Sequence, residues 1–520
     1  MKAKKCFSII MMLMSLTVGA GSFGAKPVMA IQSTTYGLDF SKNNYTEKTI
    51  TVDGKELKYR AYENIVDVKK PVDAQYESMN IYIPDAYFNG GTVGDYNAST
   101  APIFLPNTVG AYLPGPPGSI TATSIDTATN NVKGVAANGG APDGGSEAAG
   151  VALSKGYVVA MPGARGRTLR DPSGKYYGKD PAGLVDLKAA VRYLHYNDVT
   201  MPGDANKIIS NGTSAGGAMS ALLGATGNSS DYTSYLNEIG AADARDDIFA
   251  SSDYCPITNI DNDDPAYEWA YNGINDYKSM KISFDGGKIN RTEIPNTMND
   301  DQSKLSDELK KLFPAYVNGL GLKEPDGTAL KLDADGNGNF KDYVKSYIIA
   351  SAQKAIDNGT DLSELNWITI SGNKVTDIDF DKYNQYVGRG KVAPSFDTVD
   401  LSAPENGLFG TETTDAQHFT QFGQDNNTVS GATIADPQLI KMMNPMNYIG
   451  AQGVTTAPNF RIRYGSVDNN TSLAIETILA TKLQNSGYNV DFAVPWGVGH
   501  SGDYDLNDLF EWMDKICQGK

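Results

Sequence analysis

The chain has 520 residues, 40% hydrophobic and 20% charged, with a formal net charge of −17. That length holds two to four average domains, or one enlarged domain carrying insertions, and the composition excludes global disorder. The acidic balance excludes nucleic acid and anionic lipid as partners.

Residues Met1–Ala30 read as a secretory signal peptide. Lys2, Lys4 and Lys5 form a basic start, Cys6–Gly24 an apolar run, and Val28–Ala30 a small-residue cleavage site. Cleavage there removes four lysines and no acid, taking the net charge from −17 to −21. The expected address is extracellular, and no later stretch is long and apolar enough to span a bilayer. Cys255 and Cys517 would remain. They read as two buried thiols, with pairing in an oxidising compartment as the alternative.

Residues 31–49 are polar and read as a loosely held lead-in. Lys55–Val66, Ser78–Tyr87 and Ala101–Pro106 read as strands, and a Gly/Ala/Asn-rich connection follows over Gly115–Gly145. Ser146–Lys155 reads as a helix and Tyr157–Met161 as a strand. Asp180-Pro181 reads as the N-cap and first turn of a helix whose Leu184, Leu187, Val191 and Leu194 share one face. Lys207–Ser210 is a strand candidate leading to Gly212-Thr213-Ser214-Ala215-Gly216, and Ala215–Gly224 can start a helix. Ile248–Ser252 is the next strand candidate. Such alternation predicts a mostly parallel sheet covered by helices on both faces. It lapses between about 258 and 443, which reads as an insertion with helical stretches at Gln302–Phe313 and Tyr343–Asn358. Alternation resumes with Asn459–Tyr464, Ser472–Ser486, Val490–Pro495 and Asp505–Cys517.

The Gly212–Gly216 stretch fits G-x-S-x-G between a strand and a helix, a nucleophile elbow that lifts the Ser214 hydroxyl toward a helix N-terminus. A serine needs a base, and the base needs a carboxylate to orient it. The chain has three histidines. His195 lies on the helix before the elbow and His418 in the insertion. His500 follows the last predicted strand, and Asp468 ends the strand before it. The order Ser214, Asp468, His500 is that of the α/β-hydrolase triad. The Ala215 N–H is the expected first oxyanion donor. The second is expected from the loop after Ala101–Pro106, at Gly110, where a glycine allows close backbone approach.

These residues resemble the bacterial tannases of the α/β-hydrolase type, which hydrolyse galloyl esters. The likeness covers most of the mature chain. It rests on the GTSAGG elbow, the PNTVGAY loop, the YCPI segment, the large insertion and the wide interval between Ser214 and Asp468. It implies that Lys391 (GRGKVAPSFD) and Glu405 (LSAPENG) bind gallate hydroxyls and that Ile257 lines the ring slot. The family's third ring ligand, an Asp, is Asn470 here, which bears on gallate specificity. The alternatives are a solvated Lys391–Glu405 ion pair and Asn470 as a helix cap.

Asp333, Asp335, Asn337 and Asn339 place oxygen ligands at alternate positions with Gly338 at the sixth, the first half of an EF-hand loop, but Val344 stands where a bidentate Glu belongs. A Ca²⁺ site and an Asx-rich turn both fit. The resulting expectation is a secreted serine carboxylesterase that needs no cofactor. Its core is 31–257 plus 444–520, its lid insertion 258–443, and its substrate a small aromatic ester. A feruloyl or other aryl esterase, a serine peptidase of the same fold, and an adhesion protein on an inactive scaffold are the rival readings.

Overall fold

Short apolar runs with no polar residue suit strands buried on both faces, and two such runs, Pro102–Pro106 and Val158–Pro162, lie side by side in the middle of the sheet. In the computed structural model, which describes residues 35–125, 127, 145–285 and 288–519, the main sheet has ten strands. The proposed signal peptide lies outside the described residues. Before the insertion come β1 (Thr46–Val52), β2 (Lys55–Val66), β3 (Ser78–Pro84), β4 (Pro102–Pro106), β5 (Val158–Pro162), β6 (Asp204–Thr213) and β7 (Ala250–Tyr254). The insertion adds two separate antiparallel hairpins, β8 (Asp276–Asp285) with β9 (Lys288–Thr297) and β10 (Ile368–Ser371) with β11 (Lys374–Ile378). Then β12 (Asn459–Arg463) and β13 (Asn489–Ala493) complete the sheet. Its order is β13-β12-β7-β6-β4-β5-β3-β2-β1, with the two-residue strand Ser124–Ile125 beyond β1.

From β5 to β13 the neighbours are parallel, while β2 runs antiparallel to both β1 and β3, and β3 antiparallel to β5. The lead-in reading is corrected here. Residues from Thr46 onward form the last long strand on that side of the sheet, because Ile50 and Val52 find a buried face there.

Helix α1 (Ser146–Ser154) joins β4 to β5, α2 (Ala182–Tyr196) joins β5 to β6, and α3 (Ala215–Ala225) joins β6 to β7. Right-handed crossovers therefore put α1 on one face and α2 and α3 on the other. The final helix, Leu506–Gln518, returns to the α1 face, where Phe510 meets Phe104 and Tyr157 at ring-centroid distances of 5.7 and 5.9 Å. Successive strands β5 and β6 flank β4, so the chain reverses direction there. Ligands bind at the carboxyl ends of strands beside such a reversal. Asp180 does not cap α2, whose N-cap is Pro181. Both Asp180 carboxylate oxygens are buried with no hydrogen-bond partner among the described residues, and burial pushes the group well above the usual carboxylate range.

The chain leaves the sheet after β7 and returns in its neighbour β12, so residues 258–443 add no strand to it. Their helices include α4 (Asp263–Tyr271), α7 (Asn339–Asp357, preceded in this count by α5, Asp300–Lys310, and α6, Phe313–Leu320) and a short helix, Pro404–Leu408. Tyr36–Lys520 form one compact unit, and Tyr267, Phe396, Phe409 and Met442 of the insertion join the same buried cluster as the strands.

Candidate active site

Strand β6 ends at Thr213 and α3 begins at Ala215, so Ser214 occupies a one-residue elbow. Its backbone is at φ 62 and ψ −123, a strained conformation for a residue with a side chain. The flanking glycines are required by contact. A Cβ on Gly212 would lie 2.2 Å from the Gly216 oxygen, and one on Gly216 would lie 2.7 Å from both Asn107 Oδ1 and the Val109 oxygen. Packing on every side thus holds Ser214 where Oγ meets His500.

His500 Nε2 lies 2.8 Å from Ser214 Oγ, and His500 Nδ1 lies 2.8 Å from Asp468 Oδ2. A carboxylate only accepts, so Asp468 takes the Nδ1–H and leaves Nε2 free to accept the serine proton. The other carboxylate oxygen, Oδ1, accepts the Asn470 N–H at 2.8 Å, and the Asp468 carbonyl accepts the Tyr464 hydroxyl at 2.8 Å. Asp468 is fully buried and His500 nearly so. The three residues sit beyond the ends of β6, β12 and β13. Strand order alone therefore converges them, although 286 residues separate Ser214 from His500.

Ala215 is the first residue of α3, so its N–H lacks an intrahelical acceptor and faces the site. At the second expected donor the lining of the cleft differs from the expectation. Gly110 does not line the cleft, open space surrounds the place its Cβ would take, and its φ is not positive, so nothing there requires a glycine. The neighbouring Ala111 lines the cleft beside Ser214 and Ala215. Ala111 and Tyr112 have φ of 49 and 55, and Leu113 N–H closes the turn on the Gly110 oxygen at 2.9 Å. Among the described residues the Ala111 N–H has no acceptor. Asn107 fastens this loop to the elbow, its Nδ2 donating to the Gly216 oxygen at 3.0 Å and its Oδ1 accepting Val109 N–H at 3.2 Å.

Above the elbow opens a cleft of about 1310 Å³, larger than an ordinary small-molecule pocket. Ile257, Lys391, Glu405 and Asn470 all line it with Ser214 and His500, and so do Tyr277, Lys278 and Asn296 of the β8–β9 hairpin. Lys391 Nζ lies 3.8 Å from the Phe396 ring centroid, and among the described residues no carboxylate is within 4.0 Å of it, so Lys391 and Glu405 are not an ion pair. Burial raises the Glu405 pKa, opposed by the charges of Lys391 and Arg167. Asp263, also facing Lys391, is raised further by burial and accepts the Thr471 hydroxyl at 3.3 Å. Asn470 does not cap the next helix, Leu473–Asn485, because Ser472 does.

Several residues that hold this wall escaped the sequence reading. Tyr267 Oη accepts the N–H groups of Gly390 and Lys391 at 2.9 and 3.2 Å and donates to the Asn469 oxygen at 2.8 Å. Arg389 donates from Nε to the Lys391 oxygen at 2.7 Å and pairs with the buried Glu268. The available signal was the i, i+4, i+8 spacing of Asp263, Tyr267 and Tyr271, polar groups on one buried face of α4.

The other histidines lie elsewhere. His195 Nε2 bonds the Asp247 oxygen at 3.0 Å, and the buried His418 bonds Asp397 through Nδ1 at 2.7 Å. Among the described residues one group of three metal-type side chains comes together, Cys255, Asp468 and His500, within 4.8 Å. Two of its members are already bonded to each other. Among the described residues Cys255 and Cys517 are both buried and form no disulfide. The Asp333 loop lines no part of the cleft. Asp333 Oδ1 accepts the N–H groups of Asp335 and Asn337, both at 2.9 Å. Asn339, expected as a ligand, instead accepts Lys331 N–H at 2.7 Å and donates to the Ala329 oxygen at 2.8 Å. The turn is closed by its own backbone.

The BD-FAE family model matches residues 143–284. No curated protein matches the chain. Among solved structures, a tannase from Fusobacterium nucleatum is 50% identical over 93% of this chain and 100% of its own, with a TM-score of 0.85. A tannase from Lactobacillus plantarum is 43% identical over 93% of this chain and 100% of its own, with a TM-score of 0.86. A tannin acyl hydrolase in complex with ethyl gallate is 44% identical over 92% of this chain and 99% of its own, with a TM-score of 0.84.

Proposed function

The chain belongs to the bacterial tannases and is a carboxylic ester hydrolase of the α/β-hydrolase fold; on that premise we propose that it is secreted and cleaves galloyl and related hydroxybenzoyl esters through an acyl-enzyme on Ser214. The observation that carries this reading is the hydrogen-bonded run Ser214–His500–Asp468 at the floor of a cleft whose wall holds Lys391, Glu405 and Asn470.

Ser214 Oγ attacks the ester carbonyl carbon while its proton passes to His500 Nε2. The carbonyl oxygen becomes an oxyanion held by the N–H groups of Ala215 and Ala111. Asp468 stabilises the imidazolium that forms. The tetrahedral intermediate then expels the alcohol, which takes the proton from His500. Water, deprotonated by His500, attacks the acyl-enzyme by the same route and releases the acid. No step calls for a cofactor.

Ile257 and the stem of Lys391 flank the acyl ring, with the Lys391 ammonium and the Glu405 carboxyl placed to meet its hydroxyls. The inserted segment serves as the lid: it supplies Lys391, Glu405 and the β8–β9 hairpin to the cleft, leaving room for a bulky alcohol. Among the described residues no helix is long and apolar enough to cross a membrane. Secretion rests on the Met1–Ala30 pattern.

Asn470 favours a second reading, an aryl esterase that accepts rings with fewer hydroxyls. A neutral amide both donates and accepts, so it penalises a missing hydroxyl less sharply than a carboxylate does. The test is a panel of methyl gallate, methyl protocatechuate, ethyl ferulate and a peptide anilide, with fluorophosphonate labelling mapped by peptide mass. Label on Ser214 and turnover of the gallate ester are expected. Turnover of the anilide alone would move the enzyme to the peptidases, and a protein inert to probe and esters alike would be a scaffold.

A further inference from the structure

Arg167 does not line the cleft, yet it touches the elements behind two of its walls. Its backbone N–H donates to the Tyr112 oxygen at 2.9 Å, and its Nε–H donates to the Ala111 oxygen at 3.0 Å. Those carbonyls belong to the two successive positive-φ residues of the turn that presents Ala111 to Ser214. Residues with a Cβ hold that conformation only when their surroundings enforce it. The same side chain lies against the Pro404–Leu408 helix, where a Cβ on Gly407 would come within 3.0 Å of Arg167 Nη1 and 3.4 Å of Cδ. Gly407 is two residues from Glu405. The acids facing the guanidinium are Glu405 and Asp415.

We infer that Arg167 is a positioning residue that fixes the Ala111 turn at oxyanion distance from Ser214 and ties that turn to the helix carrying Glu405. The geometry gives the reason. Without the Nε bond the Ala111 carbonyl loses a charge-assisted partner, and the peptide that follows Ala111 is free to relax out of its left-handed form. The Ala111 N–H then drifts from the place where negative charge develops, and such a donor contributes to the rate only when aimed there beforehand. The guanidinium carries the coupling onward, because it is the shared surface between this turn and the backbone at Gly407.

This inference rests on Ser214 as the nucleophile, so the test reads Ser214 directly. Arg167→Lys and Arg167→Met both keep the aliphatic stem that packs on the helix, and Lys keeps one donor for the Ala111 oxygen. The probe is an alkyl fluorophosphonate, which has no aromatic ring and whose phosphoryl oxygen uses the oxyanion donors. The labelling rate is expected to fall at least tenfold in Arg167→Met and by less in Arg167→Lys. For methyl gallate, kcat should fall in the same order, and KM should rise in Arg167→Met as Glu405 loses its backing. A wild-type labelling rate in Arg167→Met, or equal rates in the Lys and Met variants, overturns the inference. A wild-type enzyme that takes no label at Ser214 overturns instead the reading beneath it.

Discussion

The Tyr267 hydroxyl lies under the backbone of Lys391, accepting its N–H at 3.2 Å while donating to the Asn469 oxygen at 2.8 Å. One phenol thus joins the segment that ends in Lys391 to the loop that ends in Asn470, and the two residues stand on one wall because of it.

Tyr267→Phe removes that joint and leaves two N–H groups and a carbonyl without partners. Each buried unsatisfied group costs about 1–3 kcal/mol. The segment relaxes instead of unfolding, so the expected result is a rise of roughly fivefold to thirtyfold in KM for methyl gallate, with kcat reduced much less. Steady-state kinetics on the purified variant, alongside its circular dichroism, provide the check. An unchanged KM would show that Lys391 is held without Tyr267.

Ser214→Ala and His500→Ala should each reduce kcat by three orders of magnitude or more while leaving a folded protein. His418→Ala and His195→Ala should act mainly on stability, since both rings are bonded away from Ser214. Melting temperature and single-turnover rates separate the two pairs. If His418→Ala proves as damaging to turnover as His500→Ala, the base has been misassigned.

Asn470→Asp should sharpen the preference for methyl gallate over methyl protocatechuate, and Glu405→Ala should erase most of it. A site built to bond a hydroxyl rejects a ring that lacks one by leaving its own polar groups unpaired. The quantity to compare is kcat/KM for methyl gallate, methyl protocatechuate and methyl 4-hydroxybenzoate. Ratios that stay fixed in both variants would remove these residues from the ring pocket without touching the triad.

Asp264 supplies a pH signature. Its carboxylate accepts backbone N–H groups from Ser395, Phe396 and Asp397, yet burial still pushes its pKa up to about 7 from 3.8. The folded state therefore keeps a proton that the unfolded chain has released. Its stabilising contribution is full below the unfolded value and is lost as pH rises through about 7. Asp264→Asn cannot titrate, so its melting temperature relative to wild type should improve by a few degrees between pH 4 and pH 8. A parallel pair of melting curves across that range would contradict the shift.

Local rules explain what could be read without coordinates. The elbow is legible because a reversed strand-to-helix turn needs glycine on both sides of the serine. Strands β4 and β5 are legible because Pro102–Pro106 and Val158–Pro162 are apolar runs buried on both faces, whereas β7 buries Ser251, Ser252 and Asp253 and shows no such run. The order Ser214, Asp468, His500 is legible because each residue follows its own strand. The strand Thr46–Val52 is not legible for the converse reason: it is half exposed, and its alternation is interrupted by threonines and charges.

The sequence by itself therefore determined the architecture, the reaction class and the residues at the strand ends, since each depends on backbone conformation over a few neighbouring positions. Tertiary structure alone placed Ala111 and not Gly110 in the lining of the cleft with Ser214, set Tyr267 under the backbone of Lys391, and laid Arg167 against both the Ala111 turn and the helix of Glu405. These relations depend on the strand order β13-β12-β7-β6-β4-β5 and on how the insertion packs over it. Contacts between residues 56 positions apart, as Arg167 and Ala111 are, or more than a hundred apart, as Tyr267 and Lys391 are, are set by the summed packing of whole elements, and no local stretch of sequence encodes them.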